Sequence, residues 1–122
     1  ILFAVGRYQI IPSTLRNVAF PKSGLLKTDL FSIANQDILG KTLLFNGQRR
    51  QLAKYLKGDN VTIQAAQLDM AREWASVPDP NTNRSYYGSG NSIAHTTAQV
   101  QKSLLSARES FIATNNNNGV LA

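Results

Sequence analysis

The chain has 122 residues, 43% of them hydrophobic, enough for one domain with its own core and too few for a second independent one. It contains no cysteine, which excludes thiol catalysis, cysteine-ligated zinc and disulfides and leaves the redox compartment open. Thirteen Lys and Arg against seven Asp and Glu give a formal charge of +6, which favours a polyanionic partner: nucleic acid, lipid headgroups or a bacterial envelope polymer.

The basic residues are dispersed, with only Arg49 and Arg50 adjacent, the pattern of a solvated surface more than of a nucleic-acid stripe. No apolar run approaches the roughly 20 residues that a membrane span needs. Ile1 to Val5 lacks the basic flank of a signal peptide and reads as a remnant of a buried strand or helix.

Helical signals follow almost throughout. Pro12 suits a first helical turn, and Leu15, Val18 and Ala19 recur at helical spacing before Pro21 and Gly24, which are expected to stop the segment. Ser32 is the expected N-cap of a helix carrying Ile33, Ile38, Leu44 and Phe45, with Gly40 in its middle as a mark of close packing. Gln48 to Lys57 predicts a helix with Leu52, Tyr55 and Leu56 inward, closed by Gly58 as a left-handed cap before Asp59 and Asn60 turn the chain.

Ile63 to Val77 places Ile63, Ala66, Met70 and Trp74 on one face, and Pro78 and Pro80 end it. Trp74 is expected in the core. A loop from Asp79 to Ser92 precedes the last helix, which Ile93, Thr97, Val100, Leu104, Ala107 and Phe111 mark by their spacing. Asn115 to Asn118 and Gly119 cannot bury apolar surface and predict a frayed end or linker. The expected organisation is one all-α domain over 1–113 and a polar tail over 114–122.

Two constellations carry chemistry. Gly6-Arg7-Tyr8-Gln9-Ile10-Ile11-Pro12-Ser13-Thr14 is an amide-bearing segment that enters a helix through Pro-Ser-Thr. Read plainly, it is a loop and a helix start with Tyr8 and Ile10 inward and Arg7 solvated. Tyr86-Tyr87-Gly88-Ser89-Gly90-Asn91 sets two aromatic rings beside small residues that leave open space, which suits a glycan groove. Its plain alternative is a surface loop in which one tyrosine plugs the core.

The first segment is similar to the Gly-x-x-Gln-Ile-x-Pro-x-Thr signature of lytic transglycosylases, and its Gly-Arg-Tyr-Gln form resembles the lambda-type phage endolysins. Ser32 to Asp37, then Gly58-Asp59, then Trp74-Ala75-Ser76-Val77-Pro78 and the tyrosine-glycine loop follow in the order found in such endolysins. Similar tyrosine-glycine loops occur in muramidase domains of secreted antibacterial effectors. The resemblance spans about residues 4 to 110.

It implies an all-α lysozyme-like helical lobe, with any small β segment upstream, that cleaves the bond between N-acetylmuramic acid and N-acetylglucosamine in peptidoglycan. One glutamate would protonate the leaving oxygen, and the muramic 6-hydroxyl can replace water to give an anhydro product, in contrast to the two-carboxylate scheme. In the family this glutamate precedes the Gly-Arg-Tyr-Gln element, so it is expected upstream of residue 1, and this segment alone is expected to be inactive. Substrate-binding roles would fall on Arg7, Tyr8, Gln9, Ser13, Tyr86, Tyr87 and Gly88. The expected setting is the bacterial periplasm or cell wall, for a phage-encoded or secreted protein. Glycan strands are the expected partner, an immunity or inhibitor protein a second one, with no specific nucleic acid and no membrane span.

The chain's own acids are weaker candidates. Asp29, Asp37 and Asp59 sit at predicted helix starts or turns, where carboxylates cap. Glu73 precedes Trp74, whose apolar wall could raise its pKa as a general acid requires, but a solvated i,i+4 pair with Asp69 is the plainer reading. Asp69, Asp79 and Glu109 show no convergent neighbours. His95 is the sole histidine and lacks carboxylates at a metal-binding spacing, so neither a metal nor a cofactor is expected. A noncatalytic wall-binding or interaction domain of the same fold is the alternative, and a basic helical nucleic-acid module is a third reading that rests on charge alone.

Overall fold

A computed structural model describes residues 15–26, 29, 32–88, 90 and 92–121. The run Ile1 to Val5 and the segment Gly6 to Thr14 lie outside these residues. Among them the chain forms five α-helices and one π-helical turn, and no strand, so the all-α class holds. Contacts divide the chain into two compact units, Ile1–Arg49 and Arg50–Ala122.

In the first unit, Leu15–Ala19 forms the π-helical turn and runs directly into α1, Phe20–Ser23. Val18 and Ala19 are buried, as their spacing predicts. Pro21 does not stop the segment; it sits in the first turn of α1, and Gly24 ends the helix with φ of 79°. The wider turn ahead of Pro21 relieves the clash its ring would make with an α-helical carbonyl four residues back.

Helix α2, Ile33–Asn46, starts as predicted at Ser32, whose Oγ accepts from the Asn35 amide at 3.2 Å. Its buried residues are Leu39, Gly40 and Leu43, whereas Ile33 and Ile38 are exposed. Gly40 thus lies on the packed face. Lys22 Nζ donates to the Asn46 carbonyl at 3.0 Å, placing a cation where a helix end leaves carbonyls unpaired.

The second unit packs three helices against one another: α3, Arg50–Leu56, α4, Ile63–Glu73, and α5, Thr97–Leu121. Leu52, Tyr55 and Leu56 are buried as predicted, and Ala66, Ala71, Val100 and Leu104 are buried apolar residues of the other two helices. Gly58 ends α3 with φ of 94°. Its amide donates to the Tyr55 carbonyl at 3.0 Å and the Asp59 amide to the Lys54 carbonyl at 2.9 Å, the paired bonds of a Schellman cap. The positive φ calls for glycine, and a Cβ at Gly58 would lie 3.0 Å from Ile112 Cγ1, so that side chain would have to shift for any larger residue.

Helix α4 ends at Glu73, short of the predicted Val77, and Trp74 becomes its C-cap with φ of −125°. Of the predicted face, only Ala66 is buried; Ile63, Met70 and Trp74 are partly exposed. The buried face instead carries Gln67 and Asp69 beside Ala66 and Ala71. Both polar side chains bond main-chain groups of neighbouring segments, which is how polar groups become tolerable in a core. Because Trp74 is partly exposed and outside the helix, Trp74→Ala should cost about 2 kcal/mol, below the roughly 3–5 kcal/mol of a fully buried indole; denaturant unfolding checks this.

Helix α5 begins at Thr97, after Ile93. Thr96 Oγ1 accepts from the Gln99 amide at 3.1 Å and Gln99 Oε1 accepts from the Thr96 amide at 2.9 Å, a reciprocal capping box that fixes the start. The helix then continues to Leu121 through the asparagine run, where the composition predicts a frayed end. Once nucleated, a helix extends by one hydrogen bond per residue fixed, and asparagine weakens propagation without forbidding it.

Candidate functional site

Of the residues singled out for glycan binding, Arg7, Tyr8, Gln9 and Ser13 lie outside the described residues, as do Ser89 and Asn91 of the tyrosine loop. Tyr86, Tyr87 and Gly88 are described, and the site is built around them.

The loop between α4 and α5 is tightly tied. Pro78 and Ser85 form an antiparallel bridge, and the Asp79 amide donates to the Arg84 carbonyl at 2.8 Å. Asp79 Oδ1 accepts from the Asn81 amide at 2.8 Å, and its carbonyl takes the Asn83 amide at 2.9 Å. Asn83 completes the turn with φ of 59°, a left-handed conformation that asparagine tolerates better than most residues. Farther along, the Ala94 amide reaches the Ser76 carbonyl at 3.0 Å.

This frame bears on one part of the plain reading, a tyrosine that plugs the core. Ser85 is the buried residue, while Tyr86 and Tyr87 are 45% and 54% exposed, so neither plugs the core. The rings meet edge to face with centroids 5.2 Å apart. The Tyr87 hydroxyl donates to the Arg72 carbonyl at the end of α4, and the Arg72 guanidinium lies 5.4 Å from the Tyr86 ring centroid. Gly88 follows with φ of 86°, and a Cβ there would meet nothing within 4 Å, so the turn and not the packing calls for glycine. An exposed aromatic surface held from beneath is the result, with Arg72 a member that sequence reasoning missed.

Each described acid except Glu109 has a definable place. Asp69 is not on a solvated surface with Glu73. It is 8% exposed, and its Oδ2 accepts from the Gln51 and Leu52 amides at 2.9 and 3.1 Å, capping the start of α3. Its Oδ1 lies 3.9 Å from Arg72 Nη1. Asp29 accepts from the Leu26 amide at 2.7 Å, a local turn as expected, and Asp79 holds the turn described above. Asp59 follows the α3 cap, whereas Asp37 lies inside α2 and not at its start. Glu73 closes α4 next to Arg72 and is partly buried. Among the described residues no group of three or more His, Asp or Glu converges as a metal site.

A buried amide lies behind the loop. Gln67 is wholly buried; its Nε2 donates to the Pro78 carbonyl at 2.9 Å and to Thr97 Oγ1 at 3.3 Å, and its Oε1 accepts from Gln101 Nε2 at 2.9 Å. Thr97 Oγ1 in turn donates to Asn83 Oδ1 at 2.7 Å. One side chain of α4 therefore ties the loop to α5. His95 is exposed and stands just before this helix. No described helix is long and apolar enough to cross a membrane.

No known protein family matches the chain, nor does any characterised protein or solved structure.

Proposed function

We propose that this chain is the helical part of a lysozyme-like peptidoglycan muramidase or lytic transglycosylase that cleaves the bond between N-acetylmuramic acid and N-acetylglucosamine. The observation that carries the reading is the exposed tyrosine pair, braced by Arg72 and bounded by Gly88, in a chain whose motifs follow the endolysin order. Aromatic faces stack on the apolar faces of pyranose rings, and hydroxyls at their edges bond sugar oxygens. Glycan-binding roles for Arg7, Tyr8, Gln9 and Ser13 rest on their places in the Gly6 to Thr14 motif alone. In this reading the general acid is a glutamate upstream of residue 1, with Glu73 as a lesser substitute from α4, beside the residue that anchors Tyr87.

Mass spectrometry of the products released from purified sacculi tests this. Anhydro-ended or reducing disaccharide-peptides from a parent protein that carries the upstream acid support the enzyme; their absence from both parent and chain removes it. Activity in the 122-residue chain that Glu73→Gln abolishes would assign the acid to Glu73.

A noncatalytic wall-binding domain is the second reading, favoured by the structural duties of Asp29, Asp69 and Asp79, whose oxygens hold main-chain amides. In either case Tyr86→Ala should weaken binding of triacetylchitotriose about tenfold, near 1.4 kcal/mol, with unchanged thermal stability. Calorimetry at rising salt checks the class as well. Binding of this uncharged sugar should persist, whereas DNA binding that falls steeply with salt would favour the nucleic-acid module.

A further inference from the structure

A cleft of about 380 Å³ opens at the start of α5, within the size range of small-ligand sites, with Asn83, His95, Thr96, Thr97 and Gln99 in its lining. Its hydrogen-bonding character follows from the bonds made around Thr96 and Thr97. The Pro78 carbonyl can only accept, so the Gln67 atom 2.9 Å away must be the amide nitrogen. That nitrogen also donates to Thr97 Oγ1, and the Thr97 hydroxyl donates to Asn83 Oδ1 at 2.7 Å. Asn83 thus gives its oxygen to Thr97, which leaves Nδ2 as its donor group at the cleft it lines. Gln99 is fixed independently: the Thr96 amide can only donate, so it takes Oε1 and leaves Nε2 free.

Two of the lining amides are thus set as donors, and among the described lining residues there is no Asp or Glu to repel an anion and no Lys or Arg to match a phosphate dianion. We propose that this cleft binds the free carboxylate of a short peptide, through Asn83 Nδ2 and Gln99 Nε2. The positive end of the α5 dipole lies at the same place and adds to the preference without setting it. Identification of the peptide as a peptidoglycan stem rests on the proposed function above; the preference for a carboxylate does not.

The test is an NMR titration of the 122-residue chain with N-acetyl-alanyl-alanine, with the same dipeptide amidated at its C-terminus, and with triacetylchitotriose. The free acid should produce saturable shifts at Asn83, Thr97 and Gln99, and the amidated dipeptide should bind at least about tenfold more weakly. Asn83→Asp keeps the oxygen that Thr97 needs and tolerates the left-handed φ, yet replaces the donor with a negative charge. Gln99→Glu keeps the capping box and makes the same exchange. Either folded variant should lose at least about tenfold in Kd for the free acid. The proposal is overturned by an absence of saturable shifts at these residues, by equal affinity for acid and amide, or by undiminished binding in both variants. Failure of triacetylchitotriose to bind would count against the glycan groove and leave the cleft standing.

Discussion

Gln67→Leu is expected to destabilise the chain by about 3 kcal/mol, although leucine has a similar volume and would ordinarily suit a position with no solvent exposure. The substitution leaves the buried Pro78 carbonyl without its donor, and Thr97 and Gln101 each lose a partner. A buried polar group left unpaired costs about 1–3 kcal/mol, and three are affected to different degrees. Gln67→Glu separates hydrogen bonding from volume. Neutral, it can donate to the Pro78 carbonyl; ionised, it sets a carboxylate against that oxygen, so its folded pKa should be raised above the ordinary value of about 4.3. The penalty is then fully present above the folded pKa and is relieved as pH falls through it toward the unfolded value. Urea unfolding of both variants between pH 7 and pH 4 checks the pair. A leucine variant as stable as the parent would remove Gln67 as the tie between loop and helix.

That tie shows why some of the structure is legible in the sequence and some is not. Caps are local, so Ser32 and Gly58 announce the start of α2 and the end of α3 within a few residues. Thr96 and Gln99 carry the same kind of signal, but apolar spacing extends back to Ile93 and points to a start that the capping box overrides. Periodicity misleads on α4 because it treats Gln67 and Asp69 as solvent-facing. Their burial depends on partners 11 to 34 residues away for Gln67 and 17 to 18 away for Asp69, which no local pattern encodes. The loop that carries the tyrosines is legible from composition, since Pro, Asn, Ser and Gly cluster there between two periodic runs. Its support is not, because Tyr87 rests on a main-chain carbonyl, a group every residue carries.

Arg108→Ala is expected to lose about 2 kcal/mol, a large effect for a partly exposed side chain. Its guanidinium donates to the carbonyls of Tyr55, Asp59 and Gly58 at 2.8, 2.9 and 3.1 Å and lies 4.6 Å from the centroid of the Tyr55 ring. Those carbonyls belong to the Schellman cap of α3, where the last turn leaves acceptors unpaired and the helix dipole is negative. Hydrogen bonds to a charged donor contribute about 1.5–3 kcal/mol where buried, and the cation over the ring adds about 0.5–1 kcal/mol. Solvent access and the flexibility of the long side chain reduce the sum, which leaves an estimate near the low end. Arg108→Lys should retain less than half of it, because one ammonium cannot span three carbonyls in a planar fork and cover the ring as well. Thermal unfolding of the two variants in low and high salt distinguishes this clamp from a general effect of net charge. Loss of the clamp should persist in salt, whereas an effect of charge alone would shrink as screening shortens the range of the other cations. Equal stability of the alanine variant and the parent in both would show that α3 closes on Gly58 without help from α5.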